Sequence, residues 1–521
     1  MDRSVITPTV HREVERKLRV PSDFVLPDLV SKGLVASITP GASFDMAAVY
    51  HDTPSLSLFR WRATLRRREG GADAGWHLKL PVAGAPSTSR DEIRLPLLAG
   101  TVGSVPAALV DIVSPLIRGE RLVPQVTVRT NRTPQVLHAG DGAPFLELVD
   151  DSVVVLDAQG HVVTSFREIE VELLNHEHPQ AEALLETVIA HLIRGGATVE
   201  STSKAASALG DAATAPPDVP SLAWPPLHSA SSDALRAALS KHVRHFILSD
   251  VAVRRDLPDS VHQMRVAARR IRSILKSFSS LLDESWAASL ADELAWIARE
   301  LGAIRDTEVL LQRLDRHADH LGSDDGPLAR SVINPRLEQR LASSRSGALG
   351  ALRSDRHEWL LDDLVAAATA PAVGYRASLS CGQALPPLID RAWRALEVSV
   401  TRLTLYGASE PWHRARIKAK RARYAVEAVA PTFGKQAGRF VDVLADLTEA
   451  LGEHHDAVVA QQMIRELSDG PGIEPRRVFA LGRLHAYEAE REIEARRAVF
   501  TTWSTVVWEA GRSGLVRHAG Q

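Results

Sequence analysis

Carboxylates and fixed cations recur at alternate positions in several short runs of the first two hundred residues. His11, Glu13, Glu15, Lys17 and Arg19 are spaced by two, which puts their side chains on one face of a strand. In Phe166–Leu173, Glu168, Glu170 and Glu172 share one face and Ile169, Val171 and Leu173 the other. Arg66 and Arg68 form a third such pair, and Trp76-His77-Leu78-Lys79-Leu80 a fourth alternating run. Such rows need water, a metal or an anionic ligand to satisfy them, because buried unpaired charge is costly. Carboxylates hold hard Mg²⁺ or Mn²⁺ through oxygen. Arginine and lysine suit phosphate oxygens and the charge that develops when phosphate is transferred. The mixture therefore suits a metal–phosphate complex.

The elements that must position these residues are short strands. Runs at 13–20, 64–68, 76–80, 92–95, 125–130, 145–149, 153–156 and 166–173 are separated by Gly and Pro clusters such as Gly70-Gly71 and Gly84-Ala85-Pro86. This pattern predicts an antiparallel sandwich or barrel. A barrel would put the charged rows in its lumen and turn the apolar faces outward against helices. A helix is expected near 179–194, ended by Gly195-Gly196. An Ala/Pro/Ser-rich stretch follows, read as a linker over 206–224 between a domain at 8–205 and one at 225–510. Beyond it, Ala/Leu/Arg/Glu-rich segments carry helical apolar spacing almost to the end.

The helical half is internally duplicated. The run from Val261 to Arg272 matches that from Trp412 to Arg423, with His262/His413, Arg265/Arg416, Arg269/Lys420, Arg270/Arg421 and Arg272/Arg423 at one constant offset. Leu301-Gly302-Ala303-Ile304-Arg305-Asp306 echoes Leu451-Gly452-Glu453-His454-His455-Asp456. The Asp-containing pairs Arg305-Asp306 and His455-Asp456 read equally well as ion pairs within or between helices. On a helical wheel, Met264, Ala267, Ala268, Ile271, Ile274, Leu275 and Phe278 form an apolar arc. Beside it run His262, Arg265, Arg269, Arg272 and Lys276, and in the second copy His413, Arg416, Lys420 and Arg423. One basic face of this kind is usually a solvated surface. Its recurrence at matching positions argues for a polyanion, since like charges three and four residues apart repel.

The chain has 521 residues, 45% hydrophobic and 24% charged, with a formal charge of −2. That length predicts more than one domain. The near-neutral balance gives no whole-protein steering toward nucleic acid. Only Tyr424 lies within the basic stretches as a stacking platform, which further argues against nucleic acid. One cysteine, Cys381, excludes an internal disulfide and thiolate-rich metal sites, and fits a reducing cytoplasm. No apolar run is long enough to cross a membrane.

Two resemblances join here. The duplicated His262–Arg272 and His413–Arg423 runs, with Arg305-Asp306, resemble the CHAD domain over roughly 225–510. This resemblance implies two pseudo-symmetric four-helix bundles with a basic groove associated with polyphosphate, and hence the polyphosphate-binding set His262, Arg265, Arg269, Arg272, Lys276, His413, Arg416, Lys420 and Arg423. The Glu13-x-Glu15-x-Lys17 motif, with Tyr50-His51-Asp52-Thr53-Pro54, Leu65-Arg66-Arg67-Arg68, Arg90-Asp91-Glu92 and the 166–173 run, resembles the CYTH domain over 8 to about 205. That family implies an antiparallel tunnel that uses Mg²⁺ or Mn²⁺. By residue, it implies metal ligation by Glu13, Glu15, Glu170 and Glu172, with Asp150 a further candidate. It implies triphosphate contacts from Lys17, Arg66, Arg68, Lys79, Arg132 and Lys204, with Glu92 ordering the basic residues and Glu13, Glu15 and Lys17 central to catalysis. Arg129 against Arg132, and Asp150 against Asp151, stay open; His11, His77 and Glu168 read as structural or as supports behind the ligating residues. The order CYTH then CHAD resembles bacterial inorganic triphosphatases, and implies association with polyphosphate granules in the cytoplasm. Alternatives are a non-catalytic polyphosphate binder, an adenylyl cyclase and a thiamine triphosphatase. Oligomeric state is left open.

Overall fold

The computed structural model describes residues 9–30, 35–82, 89–140, 142–174, 181–200, 203–470 and 472–516; the side chains of 9–14, 89 and 181 lie outside that description. The chain divides after Asp218 into two compact units.

The first unit is built on strands β1 (Thr9–Val20), β2 (Ser37–Pro40), β3 (Phe44–Asp52), β4 (Thr64–Glu69), β5 (Gly75–Pro81), β6 (Ser89–Pro96), β7 (Val123–His138), β8 (Pro144–Leu156), β9 (Val162–Leu173) and β10 (Thr198–Glu200). Helices α1 (Ser57–Arg60), α2 (Ala107–Ile117), α3 (Ala181–Arg194), α4 (Lys204–Leu209) and α5 (Asp211–Thr214) complete it. The sheet is antiparallel, in the order β10-β1-β6-β5-β4-β3-β7-β8-β9. Thr9–Val14 pair with β6, and Glu15–Val20 pair with β9. β1 therefore seams the two ends of the path, each half serving a different neighbour, and the result is a tunnel-like wall and not a regular cylinder. Gly70, at φ +83° after β4, makes a turn whose Cβ would meet the Asp45 carbonyl.

Strand alternation divides the residues between the two faces. Outward, Leu18, Val20, Leu146, Leu148, Ile169, Val171 and Leu173 form one core with Leu185, Val188, Ile189 and Leu192 of α3. Burying these side chains contributes roughly 1.5–3 kcal/mol each. Inward, Ala48, Tyr50, Val126, Val128, Val153 and Val155 pack with Ala205, Ala206 and Ala213, so the Ala-rich stretch is helical at its start and fills that part of the lumen. Ser203 caps α4 by accepting from the Ala206 N–H (3.2 Å), which fixes Lys204 at its first turn.

The second unit is helical. In the first copy run α6 (Ser231–Arg254), α7 (Ser260–Ser277), α8 (Glu284–Glu300), α9 (Gly302–Ala318), α10 (Gly322–Leu352) and α11 (Asp355–Thr369). The second holds α12 (Cys381–Ala384), α13 (Pro386–Val400), α14 (Ser409–Glu427), α15 (Ala430–Phe433), α16 (Lys435–Ser468) and α17 (Pro475–Arg512). α6, α7, α8 and α11 pack as one four-helix group. In the other, α14 packs between α13 and α16, and Trp393 of α13 stacks on Trp503 of α17 at 5.4 Å. α9 and α10 share a further core with α16 and α17 through Leu314, Ile333, Ile464 and Leu481. The apolar arc of α7 is buried as its spacing predicts, from Met264 at 0% exposure to Phe278 at 0%. The copies differ at Leu301-Gly302, where the chain turns between α8 and α9, while α16 runs straight through Leu451-Gly452.

Candidate active site and anion face

The lumen of the first unit gathers charge from β1, β4–β9 and α4. On one side Asp151, Glu168 and Glu170 bring carboxylate oxygens within 4.8 Å of one another. Lys204 Nζ lies 2.8 Å from Asp151, 2.6 Å from Glu168 and 2.8 Å from Glu170. Arg132 donates a fork to Asp151 (2.8 and 2.6 Å) and a further bond to Glu170 (2.6 Å). Lys17 Nζ sits 3.2 Å from both Glu15 and Glu170. On another side Glu92, fully buried, accepts from His77 (2.9 Å) and Arg94 (2.5 Å), with Arg66 and Lys79 each at 3.8 Å. Arg66 also donates to the Tyr50 hydroxyl at 3.3 Å, and Arg68 pairs with Asp73.

The electrostatics follow from burial and pairing. Burial opposes charge on Lys17, yet Glu15, Glu170 and Glu168 hold it well above the lysine range. Burial likewise opposes Lys204 and Arg132, whose carboxylate partners push both upward. Glu170 resists burial through Lys204, Lys17 and Arg132 and stays well below the usual carboxylate range. Glu168 goes the other way, raised by burial and by Glu170. Burial, Arg66 and Arg132 bring Arg68 down to about 9. Since Arg132 on β7 acts on Arg68 on β4, and Lys79 on β5 acts on Glu15 on β1, these groups share one lumen.

Divalent cations fit this donor set. Glu168 meets the Lys204 ammonium through Oε1 at 2.6 Å, while its buried Oε2 has no hydrogen-bond partner. Three buried carboxylates, one with an unpartnered oxygen, match a hard ion better than they match a closed ion-pair network.

Strand parity separates the residues that spacing left open. Asp151 faces the lumen, whereas Asp150 sits on the opposite face and receives a fork from Arg167 (2.9 and 2.6 Å). The place expected for Asp150 thus passes to Asp151, because neighbours on a strand point to opposite faces. For the same reason Arg132 enters the cluster, while Arg129 is exposed and lines a cavity of about 1110 Å³ with Met46, Val153, Phe166 and Arg167. Glu15 and Glu172 are cross-strand neighbours on the lumen face, beside the trio and not within it. The side chains of Glu13 and His11 lie outside the described residues. Glu168, read as structural, belongs to the trio, and its period-two spacing with Glu170 already carried that signal. Arg94 was missed, although it is at period two from Glu92, and Tyr50 carried no role beyond its place in a motif. His51 and Asp52 serve the fold: His51 bonds the Val102 carbonyl at 2.6 Å, and Asp52 accepts from the N–H groups of Leu58 and Phe59 at 2.9 Å each.

In the second unit, the basic rows of α7 and α14 meet. Arg265 donates to the Gly302 carbonyl (2.8 Å) and to Asp306 (2.9 Å). Arg270 pairs with Glu427 across the two helices at 2.6 Å. Arg269 and Arg423 each lie 5.9 Å from the Tyr424 ring. Arg423 also donates to Thr448 (2.9 Å). His262 is held low by burial and Arg305. Lys276 is exposed at the end of α7, and Arg272 is held low by burial, with Asp292 and Arg299 the charges bearing on it, so it stands apart from the α14 row. Of the expected set, Arg265, Arg269, His413, Arg416 and Lys420 come together most tightly, and His455 joins them with its ring 5.3 Å from His413.

Residues 11–206 match the CYTH domain and residues 237–465 the CHAD domain. An uncharacterized protein of Mycobacterium tuberculosis is 33% identical over 506 residues, covering 93% of this chain and 94% of its own length. Among solved structures, PptA from Streptomyces chartreusis is 27% identical with a TM-score of 0.47, covering 53% of this chain and 100% of that one. The CHAD domain from the plant Ricinus communis is 28% identical with a TM-score of 0.45, covering 55% and 95%. No helix among the described residues is long and apolar enough to cross a membrane. With both domains matched in order and a relative aligned along nearly its whole length, the chain belongs to the family of proteins in which a CYTH domain is followed by a CHAD domain.

Proposed function

We propose that the first unit is a metal-dependent phosphohydrolase that cleaves inorganic triphosphate, and that the helical unit binds polyphosphate. The observation that carries the first part is the pairing, in one lumen, of the Asp151–Glu168–Glu170 trio with Lys17, Arg66, Arg68, Lys79, Arg132 and Lys204. The trio, with Glu15 and Glu172 beside it on the lumen face, would hold Mg²⁺ or Mn²⁺. A bound divalent ion would neutralise phosphate oxygens and acidify a coordinated water. Arg66, Arg68, Arg132 and the lysines would grip the phosphates and offset charge gained in the transition state. Glu92 would keep Arg66, Lys79 and Arg94 aimed by holding them around one buried carboxylate. The convergence of unpaired cations on α7 and α14 supports the second part.

Phosphate release from tripolyphosphate with Mg²⁺ or Mn²⁺ tests the enzyme. No release above background, or release unchanged in Glu170→Gln, would end this reading. The rival is an organic triphosphate such as ATP or thiamine triphosphate, held by the same lumen cations. A panel of the three substrates, with cyclic AMP assayed in the ATP arm, separates them. Binding of tripolyphosphate without turnover of any substrate would leave a non-catalytic polyphosphate binder.

A further inference from the structure

The basic rows of the helical unit form one crowded field. Arg269 of α7 acts on both Arg416 and Lys420 of α14, and Arg265 acts on Lys420. Counter-charge is sparse, because Arg265 already engages Asp306. Among the described residues, neither Arg416 nor Lys420 makes a hydrogen bond or ion pair, and the buried Arg416 Nε has no acceptor. His455 of α16 stands against His413 in the same field. Cations held close together, half-buried and unpartnered, are arranged for a ligand that brings several negative charges.

Resting on the reading of this unit as a polyanion binder, we propose that the α7/α14 face takes up its phosphate chain together with protons, loading Lys420 and His455 in the complex, so that its grip tightens as the solution becomes more acidic. Lys420 is held down to about 7, by burial first and then by Arg416 and Arg269. His455 is held down to about 4 by burial, Arg416, His413 and Lys420. The groups bearing on Lys420 are Arg416 on its own helix, Arg265 and Arg269 on α7, and Asp456 on α16. Those bearing on His455 are Arg416, His413 and Lys420 on α14 and His454 on its own helix. Asp456, raised by burial, faces Arg416, Lys420, Glu453 and Arg313 of α9. Asp306 acts on Arg416 from α9, as does Tyr424 from α14.

The sign follows from linkage. A polyanion favours the charged form and raises the pKa of each group above its free value. Below about 7, Lys420 is already charged and adds no slope. Above that, binding takes up as much as one proton, and affinity falls by up to about tenfold per pH unit. For His455 the window lies lower, from about 4 toward the ordinary histidine value of ~6.5.

The full-length protein, titrated calorimetrically with long-chain polyphosphate and no divalent metal, provides the test. Long chains carry few terminal phosphates to titrate on their own. At pH 8, heats in two buffers of different ionisation enthalpy should differ by the uptake of up to one proton. Kd should rise about three- to tenfold between pH 7 and pH 8. Lys420→Arg, which stays charged, should abolish that uptake, and His455→Asn should abolish the corresponding uptake at pH 5.5. Equal heats in both buffers at both pH values, or uptake unchanged in Lys420→Arg, overturns the proposal. The wild-type buffer comparison decides even where a variant fails to fold. Absence of binding at every pH overturns the polyanion reading itself, and the proposal with it.

Discussion

The lumen of the first unit and the α7/α14 face of the second are both rich in cations, and they manage them in opposite ways. In the lumen Lys17, Arg132 and Lys204 are locked to carboxylates that hold their charge more firmly than water would. On the helical face Arg416 and Lys420 have no hydrogen-bond or ion-pair partner among the described residues, and burial with crowding lowers the pKa of both. A balanced interior can be reset by a ligand that brings its own cation, which suits metal-assisted chemistry on a small phosphate. An unbalanced face gains from any polyanion, whatever its length, which suits docking. The two kinds of site are told apart by counting partners, not by counting arginines.

The comparison breaks most directly at Glu170. Replacing it with Ala removes the shared acceptor of Arg132, Lys204 and Lys17. Phosphate release should fall by about 10²–10³-fold, and unfolding in denaturant should show a loss of about 3–5 kcal/mol. Activity surviving above a tenth of wild type would mean the trio is not the reacting centre. Next in size, Arg265→Glu with Arg416→Glu should weaken polyphosphate binding more than tenfold in a titration at low salt. Raising salt toward 1 M should narrow that gap, because the Debye length falls to about 3 Å.

The same contrast predicts opposite stability effects for two lysines. Lys204→Met strands buried carboxylates and should lower the melting temperature. Lys420→Met removes an unpartnered half-buried charge and should raise stability by about 1–2 kcal/mol at pH 6. Lys420 has a folded pKa below its unfolded one, so its penalty is full below about 7 and fades as pH rises toward the ordinary lysine value. The advantage of Lys420→Met should therefore shrink between pH 7 and pH 10. The depressed carboxylates run the other way: Glu170 and Glu92 contribute stability above the usual glutamate range that is lost as pH falls through and below it. Smallest of all, Asp150→Asn and Arg129→Ala, on the outer side of their strands, should leave phosphate release within about twofold.

Much of this was legible because a strand's period of two is exact. Glu15 with Lys17, Arg66 with Arg68 and Glu168 with Glu170 share a face by spacing alone, and so does the apolar arc of α7. Parity says which residues share a face but not which face is enclosed. Asp150 and Asp151 each share a face with apolar residues, Leu148 for one, Val149 and Val153 for the other. Only the packing of Leu146 and Leu148 against α3 decides that Asp151 looks inward. The contact of Glu168 with Lys204 depends on α4, which begins at the edge of a stretch whose Ala-rich composition reads as linker. The meeting of α7 and α14 had no sequence signature beyond duplication, since which helices touch is set by tertiary packing.

The seam along β1 bears on how the protein is made. Its first half can pair with β6 early, but Glu15–Val20 must wait for β9, and Lys17 must wait for Glu170. At about 5–20 residues per second of synthesis, the charged half of that strand leaves the ribosome on the order of ten seconds before its partners exist. Contacts so distant in sequence form slowly. An exposed, half-paired strand is also open to the wrong neighbour in the meantime. Its row of charged side chains, which later lines the lumen, doubles as protection during that wait, because charge on an unpaired edge discourages association with another nascent chain.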